Sequence, residues 1–233
     1  MAVAKAAVKH RWEIPRIVSV DVCDSPEAWT KAGFAVSDGV CDIGGVAFRL
    51  LGGGGGVQSC TVEADSSSVG DAGGTVEVNG FKWHVQAQAS GSSVPAGVAV
   101  THPNGVVGIQ KLEICPVESW DTLTKLVHRV LPPPYTAFAN KNPDGKPQHV
   151  ALWRMRGMEV FEMADSMHDH PVDKMYMFFL VTSDLEKTIR AVGKGNCTDV
   201  FQMDGGRKAV VLAGKKLGLS VRTFIMEPPP AKP

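Results

Sequence analysis

Val106-Val-Gly-Ile-Gln-Lys-Leu-Glu-Ile114, followed through Pro116 by Trp120-Asp-Thr-Leu-Thr-Lys-Leu-Val-His-Arg-Val-Leu131, joins a strand pattern to a helix pattern. In the first run Lys111 and Glu113 alternate with Leu112 and Ile114, which is a strand with one charged and one apolar face. In the second, Leu123, Leu126, Val127 and Val130 fall at helical spacing, and Pro132-Pro-Pro134 ends the helix. The unit is a strand, an acidic or serine-bearing turn, and a helix.

The same unit occurs twice more. Ile17-Val-Ser-Val-Asp-Val22 leads into Ser25-Pro-Glu-Ala-Trp29, with Ser25 placed to cap the helix, Pro26 suited to its first turn and Gly33 to its end. Met175-Tyr-Met-Phe-Phe-Leu-Val181 leads into a helix over Lys187–Val192, with Ser183 and Glu186 spaced as a capping box and Gly193 as terminator. A strand-turn-strand rhythm follows each unit, at 42–51, 154–163 and 216–226. The spacing is too long and irregular for a solenoid, so duplication of a βα module accounts for it. Between the first and second units runs a stretch rich in Gly, Ser, Val and Ala, from Gly52 to about Thr101, with strand-like pieces at 57–62 and 80–85.

Composition narrows the function classes. Lys plus Arg and Asp plus Glu are 24 each in 233 residues, so no basic field points to nucleic acid. No apolar run approaches the ~20 residues that cross a bilayer, and no secretory signal opens the chain. The expectation is a soluble intracellular, cytoplasmic protein without membrane insertion. The acid-free start, Met1 to Arg11, leaves an organelle-targeting or docking tail open. Cys23, Cys41, Cys60, Cys115 and Cys197 contain no Cys-x-x-Cys pair and read as buried thiols.

The strand of form Gly-Val-Val-Gly-Ile-x-x-Leu-x-Ile at 105–114, the strand at 157–163 and the Ser183-Asp-Leu-Glu turn resemble the paired βαβββ modules of the vicinal-oxygen-chelate superfamily, glyoxalase-like and bleomycin-resistance-like proteins. The resemblance implies an α+β fold in which paired modules form a curved mixed sheet around a cup. It divides the chain into an N-terminal βαβββ-like module at 16–101, a paired-module domain at 105–228, and flexible tails at 1–15 and 229–233. Three modules would leave one unpaired, with an open edge for a homo-oligomer or a protein partner.

Metal-dependent members of that superfamily hold a divalent ion on the first and last strands of each module. Carried onto this chain, those positions fall on Lys111 and Glu162 in the second unit, on Met177 and near Thr223 (or Arg222, one residue away) in the third, and on Ser19 and Leu50 in the first. Glu162 is the sole hard-metal ligand among them, so the site reads as degenerate, with no cofactor expected and a divalent metal as the open alternative. Strand alternation sends Lys111, Glu113 and Glu162 into the cup, where Lys111 and Glu162 would form an ion pair. Met177, Phe179, Trp153 and Thr223 would line it for a small molecule.

Other constellations carry less chemistry. His168 and His170, in Met167-His-Asp-His170, could ligate a metal but sit in a polar connector. Gly52 to Gly56 lacks the Lys-Ser/Thr of a phosphate loop. Neither a Gly-x-Ser-x-Gly elbow nor a Cys–His motif supports a nucleophilic hydrolase. Three readings follow: a small-molecule binder, a lyase or isomerase acting on an oxygenated substrate through Glu162 and Lys111, and a structural subunit docking through its termini. Whether the chain is an enzyme stays undecided at this level.

Overall fold

A computed structural model describes residues 15–64, 74–87, 100–141, 145, 147–156, 158–165 and 170–228. The first half begins with β1 (Arg16–Val22), α1 (Pro26–Lys31), β2 (Val40–Ile43), β3 (Val46–Leu50), β4 (Val57–Ala64), β5 (Gly74–Val78) and β6 (Phe81–Ala87). These strands make one six-stranded sheet in the order β2-β3-β1-β4-β6-β5. The second half holds β7 (Val106–Cys115), α2 (Ser119–Arg129), β8 (Thr136–Lys141), β9 (Pro147–Met155), β10 (Met158–Ala164), β11 (Lys174–Thr182), α3 (Leu185–Val192), β12 (Phe201–Gln202), β13 (Lys208–Val211), α4 (Gly214–Leu217) and β14 (Arg222–Met226). Its eight-stranded sheet runs β12-β13-β14-β11-β7-β10-β9-β8. The fold is α+β with mixed sheets.

The eight-stranded sheet is two copies of one pattern joined back to back. In each copy the last strand lies parallel to the first, β10 against β7 and β14 against β11, and the two first strands meet antiparallel at the centre. The six-stranded sheet repeats that scheme with fewer strands: β3 is parallel to β1, β6 is parallel to β4, and β1 meets β4 antiparallel. The N-terminal half therefore contains a second strand set, β4-β5-β6, where the sequence suggested a single module. The unpaired module expected from an odd count is absent from the described sheets, because β4 closes against β1.

Local chemistry explains most element ends. Ser25 caps α1, its hydroxyl accepting from the Ala28 N–H at 3.2 Å, with Pro26 in the first turn. The β2–β3 turn is Gly44-Gly45, at φ 62° and 81°, the two positive values a type I′ hairpin requires. At α3 the cap is Asp184, whose carboxylate accepts from the Lys187 N–H at 2.9 Å. Ser183, expected in that role, instead has its N–H donated to the Gly105 carbonyl at 3.0 Å, so it still belongs to the strand end. The 216–226 stretch departs from the strand-turn-strand rhythm: it starts with α4, and only 222–226 is strand.

One continuous core lies between the two sheets. Phe48 and Trp29 from the first half meet Phe178 of β11 at ring separations of 5.3 and 6.5 Å, and Trp83 of β6 meets Phe161 of β10 at 5.8 Å. Leu112, Ile114, Phe161 and Phe178 all turn inward to this layer. By the two-residue period, Lys111, Glu113, Glu162 and Phe179 turn to the opposite face, which is left for the cup.

The junction at His102-Pro-Asn-Gly105 is tightly built. His102 is buried, accepting from the Ala35 N–H at 3.1 Å on Nδ1, with Nε2 2.9 Å from the Asp42 carbonyl. Asn104 is fully buried and donates to the Ala32 carbonyl at 2.9 Å. A Cβ on Gly33, which has φ 79°, would come within 2.9 Å of the Asn104 Cβ, so the close approach of these segments requires glycine there.

Candidate functional site

The cup is built on β7, β10, β11 and β14. Register places Glu162 beside Glu113, Glu113 beside Met177, and Met177 beside Arg222, so four central strands contribute one transverse row. The next row holds Val160, Lys111, Phe179 and Phe224. Lys111 reaches back into the first row: its Nζ lies 2.9 Å from Glu113 Oε2 and 2.8 Å from Glu162 Oε2. The same ammonium lies 4.2 Å from the centre of the Phe179 ring, which in turn stacks on Phe224 at 4.5 Å.

Burial and charge oppose each other in this cluster. Burial acts to lower the Lys111 pKa, but the charges of Glu113 and Glu162 and its hydrogen bonds to both outweigh burial and hold it above its ordinary value. Lys111 is therefore a fixed cation at neutral pH. Burial pushes the Glu113 carboxyl up, against the pull of Lys111 and with the Glu162 charge adding to the rise. Its side chain is 8% exposed, compared with 19% for Glu162.

Next to the cluster is a cavity of about 260 Å³, lined by Lys111, Glu162, Gln110, Phe179, Met203 and Arg207, with Leu152, Val160 and Met226 completing the wall. Gln110 reaches it through a bulge. Phe179 pairs with Lys111 while Leu180 pairs with Ile109, so Gln110 is the extra residue and shares the cavity with its neighbour Lys111. Arg207, after the short 3-10 turn at Asp204–Gly206, donates Nε and Nη2 to the Glu227 carbonyl at 2.8 and 2.5 Å.

Of the residues expected in the cup from sequence, Lys111, Glu113 and Glu162 come together, and Phe179 lines the cavity. Met177 packs beside Phe179 and Phe224 on the cup face without lining the cavity. Trp153 and Thr223 lie elsewhere. Trp153 is one residue out of phase with the cavity-lining Leu152, so it points into the inter-sheet core and donates Nε1 to the Pro132 carbonyl at 2.8 Å. Thr223 pairs with the core-facing Phe178, and Arg222 takes the cup position. In the first half, Ser19 hydrogen-bonds Thr61 at 3.0 Å, while Leu50 belongs to the core. Gln110, Met203, Arg207 and Met226 were not anticipated.

His168 lies outside the described residues, and His170 has Nδ1 2.6 Å from the Val172 carbonyl and Nε2 buried without a partner. Among the described residues no three His, Cys, Asp or Glu side chains gather as metal ligands. A wider groove of about 540 Å³ runs between α1, Gly53 to Gly55 and α4. Its buried acid, Asp24, is taken up by Trp29 Nε1 at 3.0 Å and the Ser220 N–H at 2.9 Å. No described helix is long and apolar enough to cross a membrane.

No family model and no curated protein matches the sequence. Solved structures do match. The chain is similar to a xylose isomerase-like TIM barrel/4-hydroxyphenylpyruvate dioxygenase fusion protein, with TM-score 0.62 and 8% identity over 95% of this chain. It spans 50% of that protein's length. It is also similar to a triple mutant of 4-hydroxymandelate synthase from Streptomyces coelicolor, at TM-score 0.60 and 10% identity over 94% of both chains. A third likeness is to 2,2',3-trihydroxybiphenyl 1,2-dioxygenase from Sphingomonas wittichii strain RW1, at TM-score 0.53 and 11% identity over 91% of both. At such identities the likeness establishes the arrangement of strands.

Proposed function

Because this chain has the vicinal-oxygen-chelate fold, we propose that it binds a small molecule in the cup of its eight-stranded sheet, and that it does so without a divalent metal. The observation that carries this reading is the position of Lys111, whose Nζ is 2.9 Å from Glu113 and 2.8 Å from Glu162. The fold's metal-dependent members use the first and last strands of each module. The register sets Glu113, not the expected Lys111, beside Glu162 and Met177, so those strands offer the row Glu162, Glu113, Met177 and Arg222, with two carboxylates in place of one. Two carboxylates would be a fair start for a hard cation, but one ammonium already hydrogen-bonds both and cancels half of their charge. Of the other two, a thioether suits only soft metals and a guanidinium has no lone pair to give. These residues do not fit a divalent ion, so binding must rest on the cavity's own side chains.

Lys111 is better suited to hold the carboxylates than to touch a ligand. Two of its three N–H groups go to Glu113 and Glu162, and the ammonium sits against the face of Phe179. The apolar wall of Phe179, Met203, Leu152 and Met226 supports binding of an apolar body.

A lyase or isomerase is the second reading, favoured by one observation. Lys111 engages Glu162 through Oε2, so Oε1 of a cavity-lining carboxylate can face a substrate proton, with Glu113 raised by burial behind it. A thermal-shift screen of chelator-treated protein separates the readings. The binding account expects compounds that raise the melting temperature equally with or without added divalent metal, and no turnover of the bound compound. A compound that is consumed, with consumption abolished in Glu162→Gln at unchanged stability, would favour the enzyme. A requirement for added metal would remove the binding account as stated.

A further inference from the structure

The hydrogen-bonding groups around the cavity are unevenly spent, and that imbalance specifies the ligand. The cations are engaged: Lys111 gives two of its three N–H groups to its carboxylates, and Arg207 gives Nε and Nη2 to the Glu227 carbonyl. Two acceptors are open. Gln110 Oε1 is buried with no hydrogen-bond partner, and Glu162 binds Lys111 through Oε2 only. An unpaired buried acceptor costs about 1–3 kcal/mol, so a ligand that supplies a donor recovers that cost. Resting on the reading of the cup as a metal-independent binding site, we propose that its ligand is a compact, largely apolar molecule whose polar end carries N–H donors, an amide or amidine type of group, and that carboxylates are disfavoured. A cavity of about 260 Å³ has room for a fragment the size of a substituted single ring. Phe179 offers such a ring an aromatic neighbour, while the donor end meets Gln110 and Glu162.

Three isosteric probes isolate the chemistry: benzamidine presents donors only, benzamide one donor group and one acceptor, and benzoate acceptors only. Titration calorimetry with ligand-observed NMR is expected to rank benzamidine and benzamide above benzoate by about tenfold or more, the worth of one hydrogen bond to a charged acceptor. Glu162→Gln should erase most of the benzamidine advantage. Gln110→Met, which keeps the volume and removes the acceptor, should weaken benzamide by about threefold or more while far-UV circular dichroism stays unchanged. Benzoate binding as tightly as benzamidine overturns the inference and leaves the cup a binding site. Failure of all three probes to bind overturns the inference and the binding reading together.

Discussion

Glu113 and Glu162 stand side by side across the parallel β7–β10 pair, and the ammonium of Lys111 is held between them at 2.9 and 2.8 Å. Two carboxylates in adjacent register on one sheet face would repel each other, so the arrangement depends on the cation.

Lys111→Met should therefore cost about 2–3 kcal/mol of stability, somewhat below the usual loss for a fully buried pair because the lysine side chain keeps some exposure. Adding Glu113→Gln to that variant should recover part of the loss, since the unpaired buried carboxylate is then gone. Urea unfolding of the two single variants and the double variant measures this as a cycle. Additive losses would show that the contact carries no coupling.

Neighbouring phenylalanines should behave differently. Phe178→Ala removes a ring from the layer joining the sheets and should cost about 3–5 kcal/mol. Phe179→Ala opens the cup and should cost less stability while weakening ligand binding. Denaturation midpoints paired with a binding titration check both halves.

The cap of α3 gives a contrast of adjacent residues. Asp184→Ala should lose about 1 kcal/mol, because its carboxylate holds the Lys187 N–H, whereas Ser183→Ala should change stability by only a few tenths. Equal effects would mean that the helix begins elsewhere.

His102 makes the junction sensitive to acid. Its Nδ1 accepts from the Ala35 N–H, so the ring must be neutral, and burial lowers its pKa against the opposing pull of Asp42. As pH falls, the unfolded chain takes up the proton first. The histidine's contribution is then complete above about pH 6.5 and is lost progressively as pH drops from there through the lowered folded-state value. Unfolding free energies measured across that window should decline in the wild type and flatten in His102→Leu.

The two-residue period of β7 and β10 was enough to bring Lys111, Glu113 and Glu162 to one face from sequence, and alternation on β11 did the same for Phe179. What alternation could not supply was phase on strands whose two faces are both apolar. Trp153 and Thr223 were each one residue away from the cup-facing Leu152 and Arg222 for that reason. The bulge at Gln110 breaks the period itself, and no local residue announces it. Met203 and Arg207 arrive from a glycine-bearing turn, where sequence carries no facing signal. The strand set β4-β5-β6 shows in the sequence only as separate strand-like pieces, because a module is recognised by its helix and the Gly- and Ser-rich stretch has no helical spacing. Ser183 has the capping-box spacing with Glu186, yet Asp184 is the cap. The pairing of Ser183 with Gly105 across the sheet decides this.

Lys111 holds Glu113 and Glu162 together, and under the proposed function it does so in place of a metal. Calorimetric titration of chelator-treated protein with manganese(II) tests it most directly, with Lys111→Ala alongside. No stoichiometric binding is expected of the wild type, and only weak binding, through the two freed carboxylates, once Lys111 is removed. Stoichiometric binding by the wild type, abolished by Glu162→Gln, would contradict it.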